Sequence, residues 1–354
     1  MAIRVLVVDD SLTIRKHIAE AFGESPDFEL VGEADNGKQA IELCERLRPD
    51  VITMDMIMPT MTGVAATEYI MAYCPTPILI VSASTNRGEL FKTYDALAAG
   101  AVDVLEKPSG EMPGDQWDRQ LIDAARVVSH VRVITHPRAR LGRMGQARGV
   151  STPAPVEQAI SRDIRVVAIG ASTGGPGAVL SLLTALPADF PLPILLVIHI
   201  SEPFGTALAE WLDDQTPFNV RFAADGARLP EPGKCEVLMA PPGCHLEVSG
   251  RRLSLNRAPE RHSCRPSVDV LFESLARDVG RNTAACLLTG MGRDGAQGLL
   301  ELRRAGAVTI AQDEKTSVIF GMPGAAIELG AATHILPLDG IAPVLQGLLE
   351  GGRP

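Results

Sequence analysis

Short apolar runs and stretches of helical periodicity alternate along the first 108 residues. The apolar runs predict β-strands at Ile3–Val8, Leu30–Ala34, Val51–Met54, Ile78–Val81 and Val102–Leu105. Between these runs, apolar residues recur every three or four positions, as they do on the buried face of a helix. Strands that alternate with helices form parallel sheets with helices on both faces. We therefore predict an α/β fold for residues 1–128, built on a five-stranded, parallel, doubly wound sheet.

The alternation resumes at Val166 and predicts a second doubly wound α/β domain over residues 164–350. Its most apolar runs, Val166–Ile169, Leu192–Ile198 and Ala284–Leu288, predict buried strands. Shorter runs separated by Pro and Gly turns predict a small β-hairpin region within this domain. These shorter runs are Phe218–Ala223, Glu236–Ala240, His245–Val248 and Leu253–Leu255.

A basic segment separates the two predicted domains. Between Val131 and Gly149 the chain carries arginines and no acidic residue, and Gly and Pro interrupt any helical pattern. We predict a flexible linker over residues 129–163. A solvated connector is the simpler interpretation, and contact with an acidic partner or with the acidic first domain is the alternative.

Composition and charge narrow the possible partners and compartment. The net charge of −10 argues against broad nucleic-acid binding, so no nucleic-acid partner is expected. Met1–Val8 leads directly into a strand pattern, and no apolar run is long enough to cross a bilayer, so we expect neither a signal peptide nor direct membrane insertion. The six cysteines are scattered without a C-x-x-C pair, as expected for reduced thiols in a cytoplasmic protein.

Polar residues follow the strands of the first predicted sheet. Asp9, Asp10, Asp55, Ser82 and Lys107 all lie just past predicted strand ends. The carboxyl ends of parallel strands share one edge, where ligands bind. Three carboxylates at one edge repel each other unless a cation is present, and oxygen ligands suit Mg²⁺. Any one aspartate alone would more simply cap a helix or turn, but five such residues at one edge favour a phosphoryl and metal site.

These residues resemble a response-regulator receiver domain over Met1 to about Val128. The resemblance is carried by Asp9-Asp10, D-x-x-M-P at Asp55–Pro59, Ser82-Ala83 and Lys107-Pro108. It implies that Asp55 accepts a phosphoryl group from a sensor histidine kinase and that Ser82 and Lys107 contact this group. The Mg²⁺ ligands that it implies are Asp9, Asp10, Asp55 and the carbonyl of Ile57.

Two positions depart from the receiver pattern. Thr62-Gly63 stands where the family often has Asp-Gly, which is a minor change. Val104 stands where many receivers carry an aromatic switch residue. A signal carried by an aromatic flip is therefore not expected in this chain.

The most informative stretch of the second domain is Val166–Gly175, V-V-A-I-G-A-S-T-G-G. It predicts a strand, a tight glycine turn and a helix, with Ser172 at the centre of G-x-S-x-G. His199 and Asp294 also follow predicted strands, so the three side chains should converge at one sheet edge. An imidazole that takes the serine proton, oriented by a carboxylate, is what nucleophilic serine catalysis requires.

Each of these signals has a simpler interpretation when taken alone. A glycine-rich turn after a strand could cradle a phosphate instead. His199 could be a satisfied core histidine, and Asp294 a turn or cap residue. His245 and His262 are competing bases, which we rank below His199 because they fall in the Pro-rich hairpin region. No His, Cys and Asp spacing indicates zinc.

The order Ser, His, Asp along the chain is that of one esterase family. The second domain is similar to the CheB family of chemotaxis protein-glutamate methylesterases from Val166 to about Leu349. The matching segments are Ile169–Gly175, His199, Ala240–His245, Arg265–Asp269, Leu288–Gly295 and Ala311–Gly324. The resemblance implies hydrolysis of glutamate methyl esters on methyl-accepting chemoreceptors, and often deamidation of receptor glutamines.

The resemblance also implies roles for individual residues. Ser172 would be the nucleophile, His199 the base and Asp294 the orienting acid. Thr173, Met291 and Gly292 would line the site and its oxyanion hole; Arg265 lies at its rim without an assigned role. No cofactor is expected for the esterase chemistry. Two alternatives stay open at this point: a receiver-controlled hydrolase of another ester or amide, and a binding module that is not an enzyme.

Overall fold

The computed structural model describes residues 2–83, 87–108, 114–131, 133, 163–200, 202 and 204–350. The chain forms two compact units, Met1–Arg148 and Gly149–Pro354. The basic linker predicted at 129–163 lies almost entirely outside the described residues. Within the described residues, no helix is both long enough and apolar enough to span a lipid bilayer.

The described part of the first unit contains one five-stranded sheet with the order β2-β1-β3-β4-β5. All neighbouring strands run parallel. The strands are β1 (Ile3–Val8), β2 (Phe28–Ala34), β3 (Val51–Met54), β4 (Ile78–Ser82) and β5 (Asp103–Glu106). The central strands are buried from end to end, which explains why their sequences are apolar throughout rather than alternating.

Helices connect these strands and cover the sheet. They are α1 (Leu12–Glu24), α2 (Gly37–Leu47), α3 (Gly63–Tyr73), α4 (Arg87–Ala98) and α5 (Gly114–Ser129). Helix α1 contacts α5, while α2, α3 and α4 contact one another in sequence, so helices lie on both faces. The predicted five-stranded, doubly wound fold is therefore confirmed. Strand β2 begins two residues before its predicted start, because Phe28 is buried against Phe22 with ring centroids 4.9 Å apart.

The second unit, over its described residues, contains a seven-stranded parallel sheet with the order β14-β13-β12-β6-β7-β9-β8. Its strands are β6 (Val166–Ala171), β7 (Ile194–Ile198), β8 (Asn219–Phe222), β9 (Glu236–Met239), β12 (Thr283–Leu287), β13 (Val308–Gln312) and β14 (His334–Leu336). From β6 the chain first builds the sheet toward β8 and then returns to the other side of β6 with β12. Ligands bind outside the carboxyl ends of the strands at such a reversal, which is the edge where Ser172 lies.

In the part of the second unit that the structure describes, the helices are α6 (Gly175–Ala185), α7 (Phe204–Gln215), α8 (Val268–Asp278), α9 (Ala296–Arg304), α10 (Met322–Glu328) and α11 (Leu338–Glu350), with a 3₁₀ turn at Gly280–Asn282. Helix α6 contacts α7 and α11, whereas α9 contacts α8 and α10. The two groups cover opposite faces, as the doubly wound prediction requires.

Only part of the predicted hairpin region is a hairpin. Strands β10 (His245–Ser249) and β11 (Arg252–Asn256) form a separate antiparallel pair. The runs predicted at Phe218–Ala223 and Glu236–Ala240 instead form β8 and β9 of the main sheet. Leu246, Val248 and Leu253 of the hairpin are fully or almost fully buried and belong to the hydrophobic core that α8 and α9 share with the sheet.

Candidate functional site

Ser172 lies on a tight turn between β6 and α6. The Gly175 N–H donates to the Ser172 carbonyl at 2.6 Å and closes the turn. Gly174 has a φ of +75°, and a Cβ at this position would lie 2.5 Å from the Val318 side chain. Only glycine meets both conditions without strain. The sequence G-x-S-x-G therefore produces the strand–turn–helix geometry that it predicts.

The loop after β12 packs directly against this turn. The Ser172 N–H donates to the Thr289 carbonyl at 3.0 Å, and the Thr289 hydroxyl donates to the Thr173 carbonyl at 3.0 Å. A Cβ at Gly290 would lie 2.7 Å from the Ser172 Cβ and 2.3 Å from the Met322 sulfur. The close approach of the two loops therefore requires glycine at position 290.

His199 and Asp294 meet at the same edge. The His199 N–H donates to the Ala171 carbonyl at 3.1 Å, which places His199 beside the residue that precedes Ser172. The Nε2 atom of His199 lies 2.8 Å from Oδ2 of Asp294, although 95 residues separate them in sequence. His199 keeps 14% of its side-chain surface exposed and Asp294 only 2%. The imidazole can therefore be reached from solvent, whereas its carboxylate partner cannot.

Asp294 is held at the amino terminus of α8. Its carboxylate accepts hydrogen bonds from the Ser267 hydroxyl at 2.7 Å, the Val268 N–H at 2.7 Å and the Asp269 N–H at 3.1 Å. The first turn of a helix presents unpaired N–H groups and a partial positive charge, both of which favour a carboxylate. These donors fix the position of the acid that orients His199.

The site shifts the pKa values of both partners. Burial alone would raise the pKa of Asp294, but His199, Ser267 and Val268 lower it below its ordinary value. Burial alone would lower the pKa of His199, but the contacts with Asp294 and Cys264 raise it to about 9. An ionised Asp294 can only accept a hydrogen bond, so Nε2 is the nitrogen of His199 that carries a proton.

The contact between Ser172 and His199 stays a prediction. Among the described residues, the hydroxyl of the half-buried Ser172 makes no hydrogen bond to His199. Because Nε2 faces Asp294, Nδ1 is the nitrogen that would accept the serine proton. In the structure Nδ1 lies 3.6 Å from the Cys264 sulfur.

The two competing histidines have other partners. His245 is buried, with Nε2 3.1 Å from the Pro259 carbonyl and Nδ1 accepting from the Ser267 N–H at 3.2 Å. It is therefore a satisfied core histidine. His262 is exposed and pairs with Asp269 at 3.1 Å.

Two N–H groups of the glycine-rich turns at this edge already have backbone acceptors. The N–H of Gly175 is used within its own turn, and the N–H of Gly290 donates to the Ile319 carbonyl at 3.0 Å. Met291 and Gly292 are exposed, and their N–H groups have no acceptor among the described residues. Met291 and Gly292 therefore stay predicted oxyanion donors, and Thr173 follows Ser172 on the other turn.

The first unit has a separate charged site at its own sheet edge. Lys107 Nζ lies 2.8 Å from Asp9 Oδ2 and 3.0 Å from Asp55 Oδ2. Carboxylate oxygens of Asp9, Asp10 and Asp55 all lie within 4.8 Å of one another. The structure therefore brings together four of the residues predicted for this site. Ser82 lies beside them, since its carbonyl accepts from the Lys107 N–H at 2.9 Å.

The electrostatics of this edge fit a small divalent cation. Burial raises the pKa of Asp55 to about 6, with Asp9 adding to the shift and Lys107 opposing it. Burial likewise raises the pKa of Asp9. One lysine does not fully compensate the clustered carboxylates, and a hard cation with oxygen ligands would. The Ile57 carbonyl was predicted as a further ligand; Ile57 is among the exposed residues at this edge.

The departure at Thr62-Gly63 has a structural explanation. The Thr62 hydroxyl accepts from the Ala65 N–H at 3.3 Å and caps α3, a role that threonine and aspartate share. Any Cβ at Gly63 would lie 2.0 Å from the Asp55 carbonyl oxygen. The glycine is therefore required, whereas the residue before it can vary.

Several residues that shape the esterase edge were not predicted from sequence. They are Cys264, Ser267, Thr289 and Gln312, of which Gln312 accepts from the Thr289 N–H at 2.8 Å through its side chain. The sequence gives little indication of their roles, because each of them acts through a contact with a residue far away in the chain. Ser267 alone carried a local sign, since serine is a favoured cap at the start of a helix. Arg265 donates to the Ala258 carbonyl at 3.1 Å.

Comparison with known families covers both units. Residues 167–345 match the CheB methylesterase family, and residues 5–113 match the response regulator receiver domain. The two matched ranges contain the two charged edges described above.

Similar proteins extend over nearly the whole chain. A protein-glutamate methylesterase/protein-glutamine glutaminase of Nitrosospira multiformis is 42% identical over 352 residues, covering 98% of this chain and 97% of the relative. Another protein with this name, from Hahella chejuensis, is 43% identical and covers 97% of this chain and 98% of its own. The crystal structure of the Thermotoga maritima CheB methylesterase catalytic domain matches with a TM-score of 0.50 and 35% identity, covering 52% of this chain and 98% of that domain.

Proposed function

Because this chain belongs to the CheB methylesterase family and carries a response regulator receiver domain, we propose that it hydrolyses glutamate methyl esters of chemoreceptors under the control of phosphorylation. Relatives that match along almost their full length are named protein-glutamate methylesterase/protein-glutamine glutaminase. The observation that supports the chemistry most strongly is the 2.8 Å contact between His199 and Asp294 at the edge that carries Ser172.

In the acylation step, the Ser172 oxygen attacks the ester carbonyl while Nδ1 of His199 takes its proton. The Nε2–H of the resulting imidazolium donates to Asp294, which holds the ring in this tautomer and stabilises its charge. The tetrahedral oxyanion is placed against the N–H groups of Met291 and Gly292. His199 then returns the proton to the leaving oxygen, and methanol departs from a glutamyl ester of Ser172.

In the deacylation step, His199 removes a proton from water, which attacks the glutamyl ester. The intermediate collapses to a free glutamate side chain, and the serine oxygen regains the proton. A glutamine side chain would follow the same two steps with ammonia as the leaving group, which is the basis of the proposed deamidation. Neither reaction needs a cofactor at this site.

The receiver residues carry the proposed control. Asp55 would accept the phosphoryl group from a sensor histidine kinase, and Lys107 and Ser82 would contact the phosphoryl oxygens. Asp9, Asp10, Asp55 and the Ile57 carbonyl would hold Mg²⁺, which when bound neutralises the negative charge that gathers during transfer. Lys107 already spans Asp9 and Asp55, so one cation is positioned there by the fold.

The nucleophile is tested by methanol release from membranes that contain methylated chemoreceptors. The Ser172→Ala variant removes the attacking oxygen, so its rate is expected to fall by about 10³-fold or more. Ser181→Ala is the matched control, because Ser181 is exposed on α6 and its loss leaves the turn intact. Near-normal release by Ser172→Ala would exclude Ser172 as the nucleophile. The absence of release by the unaltered chain would favour a different ester substrate or a binding module.

A further inference from the structure

Cys264 also contacts the catalytic histidine, at the ring nitrogen that does not face Asp294. Its sulfur lies 3.6 Å from Nδ1 of His199, within the range of a hydrogen bond to sulfur. Cys264 is partly exposed and precedes the Ser267 cap of α8 by three residues. The proposed reaction gives this thiol no role.

Nδ1 of His199 can make only one hydrogen bond at a time. An imidazolium carries a proton on both nitrogens, and sulfur is a weak acceptor. While Nε2–H donates to Asp294, Nδ1–H of the protonated ring can therefore donate to the Cys264 sulfur, which lies 3.6 Å away. Once Nδ1 has lost its proton, its lone pair must accept from the Ser172 hydroxyl before the serine oxygen can attack.

We propose that Cys264 is a positioning residue of this esterase, whose sulfur accepts from Nδ1–H of the protonated His199 in the resting enzyme and releases Nδ1 to Ser172 when the substrate binds. The proposal rests on the proposed function, because it concerns the step in which His199 becomes the base for Ser172. The proposal explains why Nε2 of His199 contacts Asp294 while Nδ1 contacts Cys264 and not Ser172.

The backbone around Cys264 holds the thiol at this distance. The Arg261 N–H donates to the Cys264 carbonyl at 3.1 Å, and the Cys264 N–H donates back to Arg261 at 2.9 Å. His262 and Ser263 between them adopt positive φ values of 52° and 58°. Arg261 in turn makes two side-chain hydrogen bonds to Glu273 of α8, at 2.6 and 2.5 Å. The turn is therefore fixed to the same helix that holds Asp294.

The groups that contact His199 both favour its protonated form. Asp294 and Cys264 both raise the pKa of the imidazole, against the effect of burial. Behind Asp294 lie the buried Asp269 and its partner His262. The charge of Asp294 also contributes to the raised pKa of Arg261. Removal of the sulfur leaves all of these groups in place, so a change in the titration of His199 on removal belongs to Cys264.

The test measures the His199 titration by NMR in the full-length chain, independently of turnover. The seven histidine signals are assigned with a His199→Gln variant. In Cys264→Ala the pKa of His199 is expected to fall by about one unit, the lower end of the shift that a close partner causes. The acidic limb of the kcat/KM profile for methanol release should move to lower pH by the same amount.

Two further variants make the result decisive. Cys244→Ala is the matched control, because Cys244 is partly exposed, its N–H donates to the Pro241 carbonyl, and no hydrogen bond joins it to His199 among the described residues. Its His199 titration should equal that of the unaltered chain. Cys264→Val retains the volume of the side chain without a polar sulfur, so it replaces the alanine variant if that variant does not fold, and the same fall in pKa is expected.

An unchanged His199 titration and an unchanged pH profile in folded Cys264 variants would overturn the proposal. So would an equal shift in Cys244→Ala, since the effect would then be general. Loss of methanol release in the unaltered chain would contradict the proposed function instead, while the NMR titration would still decide whether the thiol holds the imidazole.

Discussion

At His199, burial and hydrogen bonding act on the imidazole in opposite directions. Burial disfavours the charged ring, whereas Asp294 and Cys264 stabilise it and raise its pKa to about 9. The same contact lowers the pKa of Asp294, so the pair exists as imidazolium and carboxylate at neutral pH. A general base must be neutral before it can take a proton. At neutral pH most of His199, the proposed base, is therefore in the protonated form, which cannot take a proton from serine.

This charge state predicts an alkaline pH profile. Because the pKa of His199 is raised from 6.5 to about 9, the neutral fraction, and with it kcat/KM, should increase about tenfold per pH unit above neutrality and level off near pH 9. Asp294→Asn removes the carboxylate that stabilises the imidazolium, so the acidic limb should move to lower pH. Its kcat should fall by roughly 10³–10⁴-fold, because the tautomer is no longer held. The measurement is methanol release as a function of pH, and a limb that stays in place in Asp294→Asn would contradict this assignment.

The residues of the site differ in how far sequence could predict them. Ser172, His199 and Asp294 each follow an apolar run, so the rule for parallel sheet edges predicts that they converge. The structure brings the last two into contact and places Ser172 at the same sheet edge, next to the residue whose carbonyl accepts from the His199 N–H. Cys264 lies on an irregular turn whose position depends on Arg261 and α8. No local sequence pattern predicts that its sulfur contacts His199.

At the level of elements, two helices hold Asp294, the proposed catalytic acid, between them. Asp294 precedes α9 and accepts from the first N–H groups of α8. Asp269 of α8 accepts in return from the Gly298 N–H of α9 at 2.6 Å. Each helix thus supplies a carboxylate to the amino terminus of the other. This exchange fixes the loop that carries Met291, Gly292 and Asp294 relative to the sheet.

Ser267, the amino-terminal cap of α8, is expected to affect both stability and activity. Ser267→Ala removes the hydroxyl that donates to Asp294 and accepts from Val270, so the free energy of unfolding should fall by about 1 kcal/mol. Because Asp294 loses a donor, kcat should fall as well. Asn36→Ala is the matched control: it removes the cap of α2, where Asn36 accepts from Gln39, and should cost similar stability without lowering kcat. Urea unfolding and methanol release measure the two effects, and equal kcat values in the two variants would contradict the role given to Ser267.

The two loops at the serine turn give a second prediction. A Cβ at Gly290 would collide with Ser172 and Met322, so Gly290→Ala should lower activity strongly and destabilise the fold by roughly 1–3 kcal/mol. Gly347 in α11 has no atom within 4 Å of an added Cβ. Gly347→Ala should therefore be neutral, or stabilising by up to about 1 kcal/mol. Thermal unfolding and methanol release measure stability and activity in the two variants. A fully active Gly290→Ala variant would show that the two loops do not pack as described.

Most strands and helices could be predicted from periodicity, because buried parallel strands form continuous apolar runs. The positions of β8 and β9 could not. Their short runs lie between Pro and Gly turns, as the hairpin runs do, and nothing local indicates that they pair with β7 in the main sheet. Strand pairing between distant segments depends on the assembled core, which a local pattern does not contain.

At the level of the whole molecule, two sheet edges carry two different chemistries. The first edge gathers Asp9, Asp10, Asp55 and Lys107, which suits phosphoryl transfer with a divalent cation. The second gathers Ser172, His199 and Asp294, which suits acyl transfer. The presence of a receiver domain and a methylesterase domain in one chain supports the proposed order of events, in which a signal arrives at the first edge and changes the rate at the second.

The most direct test of this account is methanol release from methylated receptor membranes by the full chain, with and without Mg²⁺ and a small-molecule phosphodonor. Phosphorylation should raise the rate about tenfold, which corresponds to a coupling free energy of about 1.4 kcal/mol. Asp55→Asn should keep the basal rate and lose the increase. A rate of methanol release that does not change with the phosphodonor would contradict the claim that this chain is a serine methylesterase controlled through Asp55. An equal increase of the rate in Asp55→Asn would contradict it as well.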